Sequence, residues 1–287
     1  MSQPTNTENV RALVQDASLE MTGKDVEALR EAAPFIAPGT RINVTFLGNE
    51  DLEMRVTASK AVKELGFIPV PHISARRLRS EDELKEFLQA LADVDATECV
   101  FAVGGDPAEP MGPYGSSLEM IESGIFADFG VKEVSIAGYP EGHPDISNEV
   151  LTRELNGKLD ELAKQNLGAR ILTQFGFDTD PIATWLNEVA ADNVTAPIGI
   201  GVPGPAGIKR LLTYARRFGA TTSAGIVKKY GFSLTNLMGS AGPDKFIGNL
   251  ADVVAASDYQ GEVGVHFYTF GGMTRTAEWL QDFKNKL

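Results

Sequence analysis

The chain has 287 residues, and 43% of them are hydrophobic, so it has enough apolar side chains for a sizeable core. The formal net charge of −13 at pH 7 argues against non-specific nucleic-acid binding, which requires a basic surface. We expect a cytoplasmic protein without a membrane partner, because the sequence lacks a long apolar segment and a signal pattern and has a single cysteine, Cys99.

Eight short apolar or β-branched runs recur along the chain and are predicted as strands. Several of them are almost continuously apolar, which is typical of strands buried on both faces of a parallel sheet. The eight runs are Ala17–Met21, Ile42–Leu47, Phe67–Ile73, Cys99–Val103, Glu133–Ala137, Arg170–Phe175, Ala196–Val202 and Val263–Thr269.

Amphipathic stretches lie between these runs and are predicted as helices. Ser80, followed by acidic residues, has the features of a helix N-cap. The predicted helices are Lys24–Ala33, Asp51–Leu65, Glu81–Ala92, Ser116–Ser123, Asn148–Gln165, Pro181–Ala191, Ala206–Phe218, Gly225–Met238, Asp244–Ala256 and Thr274–Lys286.

Strict alternation of strand and helix predicts an α/β fold with a parallel sheet. Eight units favour a (β/α)8 TIM barrel forming a single domain over residues 1–287, with extra helices between strands 7 and 8. An open doubly wound sheet is the alternative, because it needs only a different strand order.

Polar and ionisable residues stand at the ends of most predicted strands. TIM-barrel enzymes place their reactive groups there, so together these residues predict an active site. They are Glu20, Thr45, His72, Asp106, Tyr139, His143, Gln174, His266, Tyr268 and Thr269.

Each of these residues also has a structural interpretation. Glu20 is either a carboxylate paired with a helix terminus or a proton-transfer acid. Asp106 either begins a turn or lies at the pocket floor, where Gly105 lets the backbone approach a ligand. His72 and His143 could each be a hydrogen-bonded structural histidine. No group of residues has metal-ligand spacing, so we expect no metal site.

Two further sequence features allow alternative interpretations. Residues Gly199–Gly204 match GxGxxG, but the nearest following acid is Asp244 and two prolines stiffen the turn, so a dinucleotide-binding fold is not favoured. The segment Asn193–Pro243 contains no acid. Its basic residues form either a solvated helix surface or a wall for an anionic ligand; they are Lys209, Arg210, Arg216, Arg217, Lys228 and Lys229.

Seven segments resemble motifs of the methylenetetrahydrofolate reductase family, in that family's order. GYPEGHP and TQFGFD are the most specific of them. The resemblance extends from about Ser18 to Arg275. The chain resembles the short bacterial form of the family. The segments are SLE at 18–20, VTF at 44–46, PHIS at 71–74, GGDP at 104–107, AGYPEGHPD at 137–145, TQFGFD at 173–178 and HFYT at 266–269.

This resemblance implies reduction of 5,10-methylenetetrahydrofolate to 5-methyltetrahydrofolate, with FAD as hydride carrier and NAD(P)H as donor, within one-carbon metabolism and methionine biosynthesis. By resemblance, Glu20 is the acid that opens the imidazolidine ring and Asp106 the carboxylate near pterin and flavin. The remaining implied contacts are Gln174 and Tyr268 to the folate, and Thr45, His72, Gly105, Tyr139, His143 and Lys158 to the flavin.

The sequence departs from the family pattern in three places, one of which is near Ile208 and Leu212, where aliphatic or basic residues replace a phenylalanine and a glutamine that commonly contact folate after the seventh strand. Gly104 replaces an arginine before GD, and Gly271-Gly272 replace an arginine after HFYT. Hydride transfer through FAD and direct transfer from NAD(P)H therefore both stay open. A folate- or corrinoid-linked methyltransferase barrel and a non-catalytic pterin-binding barrel are further alternatives. A homo-oligomer is also left open.

Overall fold

The computed structural model describes residues 6–205 and 242–287, and it shows a closed barrel of eight parallel strands in chain order. The barrel closes where β1 pairs with β8, with Leu19 opposite Phe267. The predicted TIM barrel is therefore confirmed, and the open-sheet alternative is wrong. The strands are β1 Ser18–Met21, β2 Arg41–Val44, β3 Ile68–Ser74, β4 Cys99–Val103, β5 Glu133–Gly138, β6 Gly168–Phe175, β7 Ile198–Pro203 and β8 Val263–Tyr268.

Helices surround the barrel and follow most of the strands. They are α1 Asn6–Gln15, α2 Val26–Ala32, α3 Leu52–Glu64, α4 Glu81–Ala92, α5 Ser117–Glu122, α6 Ile125–Asp128, α7 Asn148–Lys164, α8 Thr179–Ala191, α9 Asp244–Ala256 and α10 Met273–Lys286.

The predicted helix positions agree with the structure in most places. The bounds of α4 and α9 coincide with the prediction, and α9 is one of the extra helices expected before the last strand. The short helices α1 and α6 were not predicted. The predicted helices Ala206–Phe218 and Gly225–Met238, together with the six basic residues of the possible anion wall, lie outside the described residues.

Side chains inside the barrel form layers that change in polarity from one end to the other. At the N-terminal end, Glu133 of β5 pairs with Arg41 of β2 and Arg170 of β6. Above this ionic floor lies a buried apolar cluster of Val70, Cys99, Phe101 and Leu172. The polar residues at the C-terminal strand ends come next, so the apolar layer separates them from the floor.

Helix α1 packs against α9 and β8. Its buried side chains Val10, Leu13 and Val14 recur at the spacing of one helix face. Within residues 6–205 and 242–287, no helix is long and apolar enough to cross a membrane.

Candidate active site

A cavity of about 370 Å³ opens at the C-terminal ends of the strands. We call it the mouth cavity. Seven predicted site residues from six strands and the loops after them line it together: Glu20, Thr45, His72, Tyr139, Gln174, Tyr268 and Thr269. The other described residues that line it are Met21, Thr22, Asp25, Phe46, Leu47, Phe101, Val103, Ala137, Leu172, Phe175, Phe270 and Gly271.

The carboxylate of Glu20 lies beside a buried histidine. Its Oε2 atom is 3.9 Å from Nε2 of His266, and the Glu20 side chain is only 18% exposed. The other ring nitrogen of His266, Nδ1, lies 2.8 Å from the hydroxyl oxygen of Ser18. The hydroxyl of Thr269 donates to the Glu20 backbone carbonyl at 2.7 Å. This arrangement fixes the acid at the cavity wall with an imidazole next to it.

His72 is buried against neutral partners. Its Nε2 atom is 3.3 Å from Oδ1 of Asn43, and the ring contacts Phe101 edge-on. Burial lowers the His72 pKa to about 3, and the nearby His266 contributes in the same direction. His72 is therefore neutral at physiological pH and can offer a hydrogen bond but not a positive charge.

Aromatic side chains form one wall of the mouth cavity. The ring of Phe175 contacts Tyr268 and Phe270 edge-on, with centroids 5.2 Å apart in both pairs. The Tyr268 hydroxyl donates to the Thr173 carbonyl at 3.1 Å. Burial raises the pKa of Tyr268 well above its usual value and also raises that of Tyr139, so both phenols stay protonated. Such a wall suits a flat ring with a few polar atoms.

Asp106 does not lie at the pocket floor, as one interpretation of the sequence expected. Its side chain is 77% exposed and lies at the rim, where both carboxylate oxygens accept hydrogen bonds at 2.8 Å from Arg77. Arg77 follows β3, so the ion pair joins two neighbouring loops. Asp106 and Glu20 nevertheless lie at the same end of the barrel, because each is at or just beyond the C-terminal end of its strand.

Gly105 adopts a backbone conformation that favours glycine. Its φ is +99°, and a Cβ atom there would lie 2.2 Å from the hydroxyl oxygen of Ser74. The expected close approach of the backbone is therefore present, but to Ser74. At Gly104 a Cβ atom would meet nothing within 4 Å.

His143 and Lys158 do not line the mouth cavity. The ring of His143 contacts Tyr139 edge-on at 5.6 Å, and its Nδ1 accepts a hydrogen bond from the Asp145 backbone. Lys158 lies buried on α7, where its ammonium is 4.0 Å from Glu154 and desolvation lowers its pKa. The structure therefore places both residues outside the group that lines the mouth cavity.

A second cavity of about 370 Å³ adjoins the first at Ala137 and Tyr139. We call it the side cavity. It lies beside α7 and α8, and the remaining described residues that line it are Gly138, Pro140, Glu141, Gly142, Asn148, Leu151, Thr152, Leu155, Pro181, Trp185, Glu188, Val189 and Asp192. A Cβ atom at Gly138 would lie 3.1 Å from Trp185 of α8, so this cavity lies on the helix side of β5.

The GxGxxG match in β7 has a packing explanation. A Cβ atom at Gly201 would lie 2.5 Å from the Thr173 carbonyl oxygen, and one at Gly199 would lie 2.6 Å from Leu172. The Gly201 amide donates to the Thr173 hydroxyl at 2.8 Å. These glycines let β7 approach β6 where the register of the pair shifts.

Several residues that the sequence did not single out contribute to the site. Phe46, Phe101 and Phe175 lie within or next to the predicted strands, and their alternation with outward-facing residues could have indicated them. The pairing of Arg77 with Asp106 had no signal in the sequence, because it depends on how two loops fold.

Comparison with known proteins identifies the family. A sequence model described as "Methylenetetrahydrofolate reductase" matches residues 35–278. The chain belongs to the methylenetetrahydrofolate reductase family. The match begins after Glu20, so the role of that residue depends on its position in the structure and on the shorter motif around it.

Two relatives carry the family name over shorter segments. "Methylenetetrahydrofolate reductase 2" of Saccharomyces cerevisiae is 34% identical over 85 residues, covering 29% of this chain and 12% of that protein. "Probable methylenetetrahydrofolate reductase (NADH)" of Oryza sativa subsp. japonica is 32% identical over 118 residues, covering 37% of this chain and 19% of that protein. The matched segments thus span less than a fifth of each relative.

Two solved structures share the fold at low sequence identity. An uncharacterized protein from Clostridium thermocellum, described as binding two copies of 5-methyl-5,6,7,8-tetrahydrofolic acid, has a TM-score of 0.60 at 10% identity and covers 99% of this chain and 100% of its own. A putative lyase/mutase from Burkholderia cenocepacia has a TM-score of 0.52 at 14% identity, and the match covers 95% of this chain and 83% of that protein. At these identities the similarity shows the barrel fold alone.

Proposed function

We propose that this chain acts as a single catalytic domain that reduces 5,10-methylenetetrahydrofolate to 5-methyltetrahydrofolate with hydride from NAD(P)H. The observation that carries the proposal is the Glu20 carboxylate, largely buried at the mouth cavity and 3.9 Å from His266. Membership of the family supports this reaction. The methyltetrahydrofolate bound by a protein of the same fold supports a folate ligand.

In the proposed reaction, Glu20 in its protonated form donates a proton to N10 of the folate. The bond between N10 and the bridging methylene carbon breaks, its electron pair stays on N10, and the methylene carbon becomes an iminium carbon on N5. Hydride then adds to that carbon and gives the methyl group. His266, next to Glu20, is placed to return a proton to the carboxylate, while Gln174 and Tyr268 contact the pterin.

The described residues fit a flavin ring. Thr45 lines the mouth cavity, and its hydroxyl is buried without a hydrogen-bond partner among the described residues, so it can bind a ring nitrogen or oxygen. His72 and Tyr139 add two neutral groups. His143 and Lys158, which lie outside the mouth cavity, would contact parts of the molecule beyond the ring. Bound FAD would accept hydride from NAD(P)H and pass it to the folate.

Two of the proposed contacts, those of Gly105 and Asp106, depend on the loop after β4 at the rim of the mouth cavity. Gly105 keeps the β4 loop close to Ser74, and Asp106 could place a carboxylate near the reacting carbon only after leaving Arg77. Direct hydride transfer from NAD(P)H remains the alternative, because Gly104 supplies no side chain where the family pattern has an arginine. We place the reaction in cytoplasmic one-carbon metabolism that leads to methionine.

The test is an assay of the purified protein with methylenetetrahydrofolate and either NADH or NADPH, together with its absorbance spectrum. Glu20→Gln should lower folate reduction roughly 10²-fold or more, because loss of a general acid costs about 10²–10⁴ in rate. If flavin bands are present, NAD(P)H oxidation by an artificial acceptor should persist in this variant. Glu64→Gln on α3 is the control.

One outcome would contradict the proposed reaction, and another would show that the Glu20→Gln variant does not test it. A wild-type protein without turnover on methylenetetrahydrofolate would exclude the reaction. Equal loss of both half-reactions in Glu20→Gln would indicate a folding defect in place of a missing acid.

A further inference from the structure

Arg55 of α3 is a buried cation held between two phenyl rings. Its guanidinium carbon lies 3.6 Å from the ring centroid of Phe46 and 4.6 Å from that of Phe87. Only 7% of the residue is exposed. Desolvation lowers the Arg55 pKa to about 10, and the nearby Glu50 carboxylate opposes this effect, so the guanidinium remains charged at neutral pH.

The hydrogen bonds of Arg55 are incomplete. Its Nε donates to the Asp51 carbonyl at 3.1 Å, whereas Nη1 is buried without a hydrogen-bond partner among the described residues. Burying a charge with unsatisfied donors is unfavourable, and an apolar side chain of similar length would fill the same space at lower cost. Core stability alone therefore does not account for an arginine at this position.

Phe46 connects this cation to the mouth cavity. It follows Thr45 on the loop after β2, and both residues line the cavity. The loop is fixed by the buried carboxylate of Glu50, which accepts hydrogen bonds from the amides of Gly23 and Leu47. Phe46 thus contacts the guanidinium with its ring and also lines the space available to a ligand.

We propose that Phe46 is a stacking platform for an electron-rich reduced ring, the dihydronicotinamide or the tetrahydropterin, and that Arg55 is the positioning residue behind it. A cation on one face of a phenyl ring attracts the π electrons to that face. The opposite face becomes less negative and stacks more favourably on an electron-rich ring. The inference rests on the proposed function, because that function supplies the two reduced rings.

The test measures the dissociation constants of 5-methyltetrahydrofolate and of NADH for wild type and four variants, together with kcat, KM and thermal stability. Phe46→Leu removes the platform. It should raise the dissociation constant of the stacked ligand roughly 2- to 12-fold, which is the affinity that an aromatic contact of this kind contributes. Arg55→Met keeps the packing stem without the charge and should weaken binding of the same ligand about 2- to 5-fold. Arg55→Lys should restore part of that loss. Phe283→Leu, on α10, is the matched control.

The ligand whose affinity changes identifies the stacked ring. A loss of affinity confined to NADH assigns the platform to the dihydronicotinamide. A loss of affinity confined to methyltetrahydrofolate assigns it to the pterin. Unchanged affinities for both ligands in Phe46→Leu or in Arg55→Met overturn the inference while leaving the proposed function intact. A loss of stability without a change in either dissociation constant also overturns it. Wild-type protein that binds neither ligand contradicts the inference and the proposed function together.

Discussion

Burial shifts the pKa values of several side chains at the mouth cavity away from their ordinary values. His72 is the clearest case, because its folded-state pKa of about 3 lies below the ordinary value of 6.5. The unfolded chain therefore binds more protons than the folded one between these values. The stability contributed by neutral His72 is complete above about pH 6.5 and is lost as the pH falls towards 3.

The difference between the folded and unfolded pKa of His72 predicts how much stability the fold loses in acid. Each pH unit in that window corresponds to about 1.4 kcal/mol, so His72 should account for about 2–3 kcal/mol of lost stability between pH 7 and pH 4.5. His72→Gln should not show this loss. Urea unfolding of both proteins at pH 7, 5.5 and 4.5 measures it. Parallel pH profiles for the two proteins would contradict the buried neutral state.

The sequence predicted which residues meet at the cavity better than it predicted what each one does there. Seven of the predicted polar residues line the cavity together because the strand ends of a parallel barrel share one rim. The orientation of Asp106 was not predictable, because its partner Arg77 lies on a different loop. Similarly, the low pKa of His72 depends on neighbours from other strands, which the local sequence does not reveal.

At the scale of elements, the N-cap of α4 was predicted and is confirmed. The Ser80 hydroxyl accepts a hydrogen bond from the Glu83 amide at 3.1 Å. Ser80→Ala should lower the free energy of unfolding by about 1 kcal/mol, because one helix amide loses its partner. Ser80→Asp should retain the bond and the stability. The loss in Ser80→Ala should be equal at pH 7 and pH 4.5, which makes it the control for His72→Gln.

The strands were predictable because parallel strands buried on both faces are continuously apolar, whereas two helices were missed for different reasons. The apolar residues of α1, at Val10, Leu13 and Val14, recur with helical spacing within a polar segment. They were detectable but were not assigned. Helix α6 has four residues, Ile125–Asp128, and such a short segment has too few turns to show periodicity.

At the scale of the whole molecule, barrel closure required more than alternation of strands and helices. The repeating pattern of eight units favoured the closed barrel but was also compatible with an open sheet, and the pairing of β1 with β8 decides between them. The grouping of charged residues inside the barrel also depends on the whole fold. Glu133 and Arg170 lie on the neighbouring strands β5 and β6, whereas Arg41 lies on β2 and reaches Glu133 across the inside of the closed barrel.

The ionic floor should contribute to the stability of the closed barrel. Glu133 lies 3.2 Å from Arg41 and 3.5 Å from Arg170, and its side chain is 21% exposed. Glu133→Gln would leave the guanidinium groups of Arg41 and Arg170 without the carboxylate that they share, and Glu262 would remain as a nearby negative charge for Arg170. Breaking a fully buried pair costs about 3–5 kcal/mol, and partial solvent screening at this floor reduces our expectation to about 2 kcal/mol. Urea unfolding at pH 7 measures the loss.

A double-mutant cycle shows whether the loss comes from unpaired charge. Arg41→Met in the Glu133→Gln background removes one of the two opposed cations, so the double variant should be more stable than the sum of the single losses predicts, by about 0.5–2 kcal/mol. The apolar layer of Val70, Phe101 and Leu172 separates the floor from the mouth cavity. Ligand affinity should therefore stay at the wild-type value in every floor variant that remains folded. Strict additivity of the two losses would mean that the three charges stabilise the barrel independently.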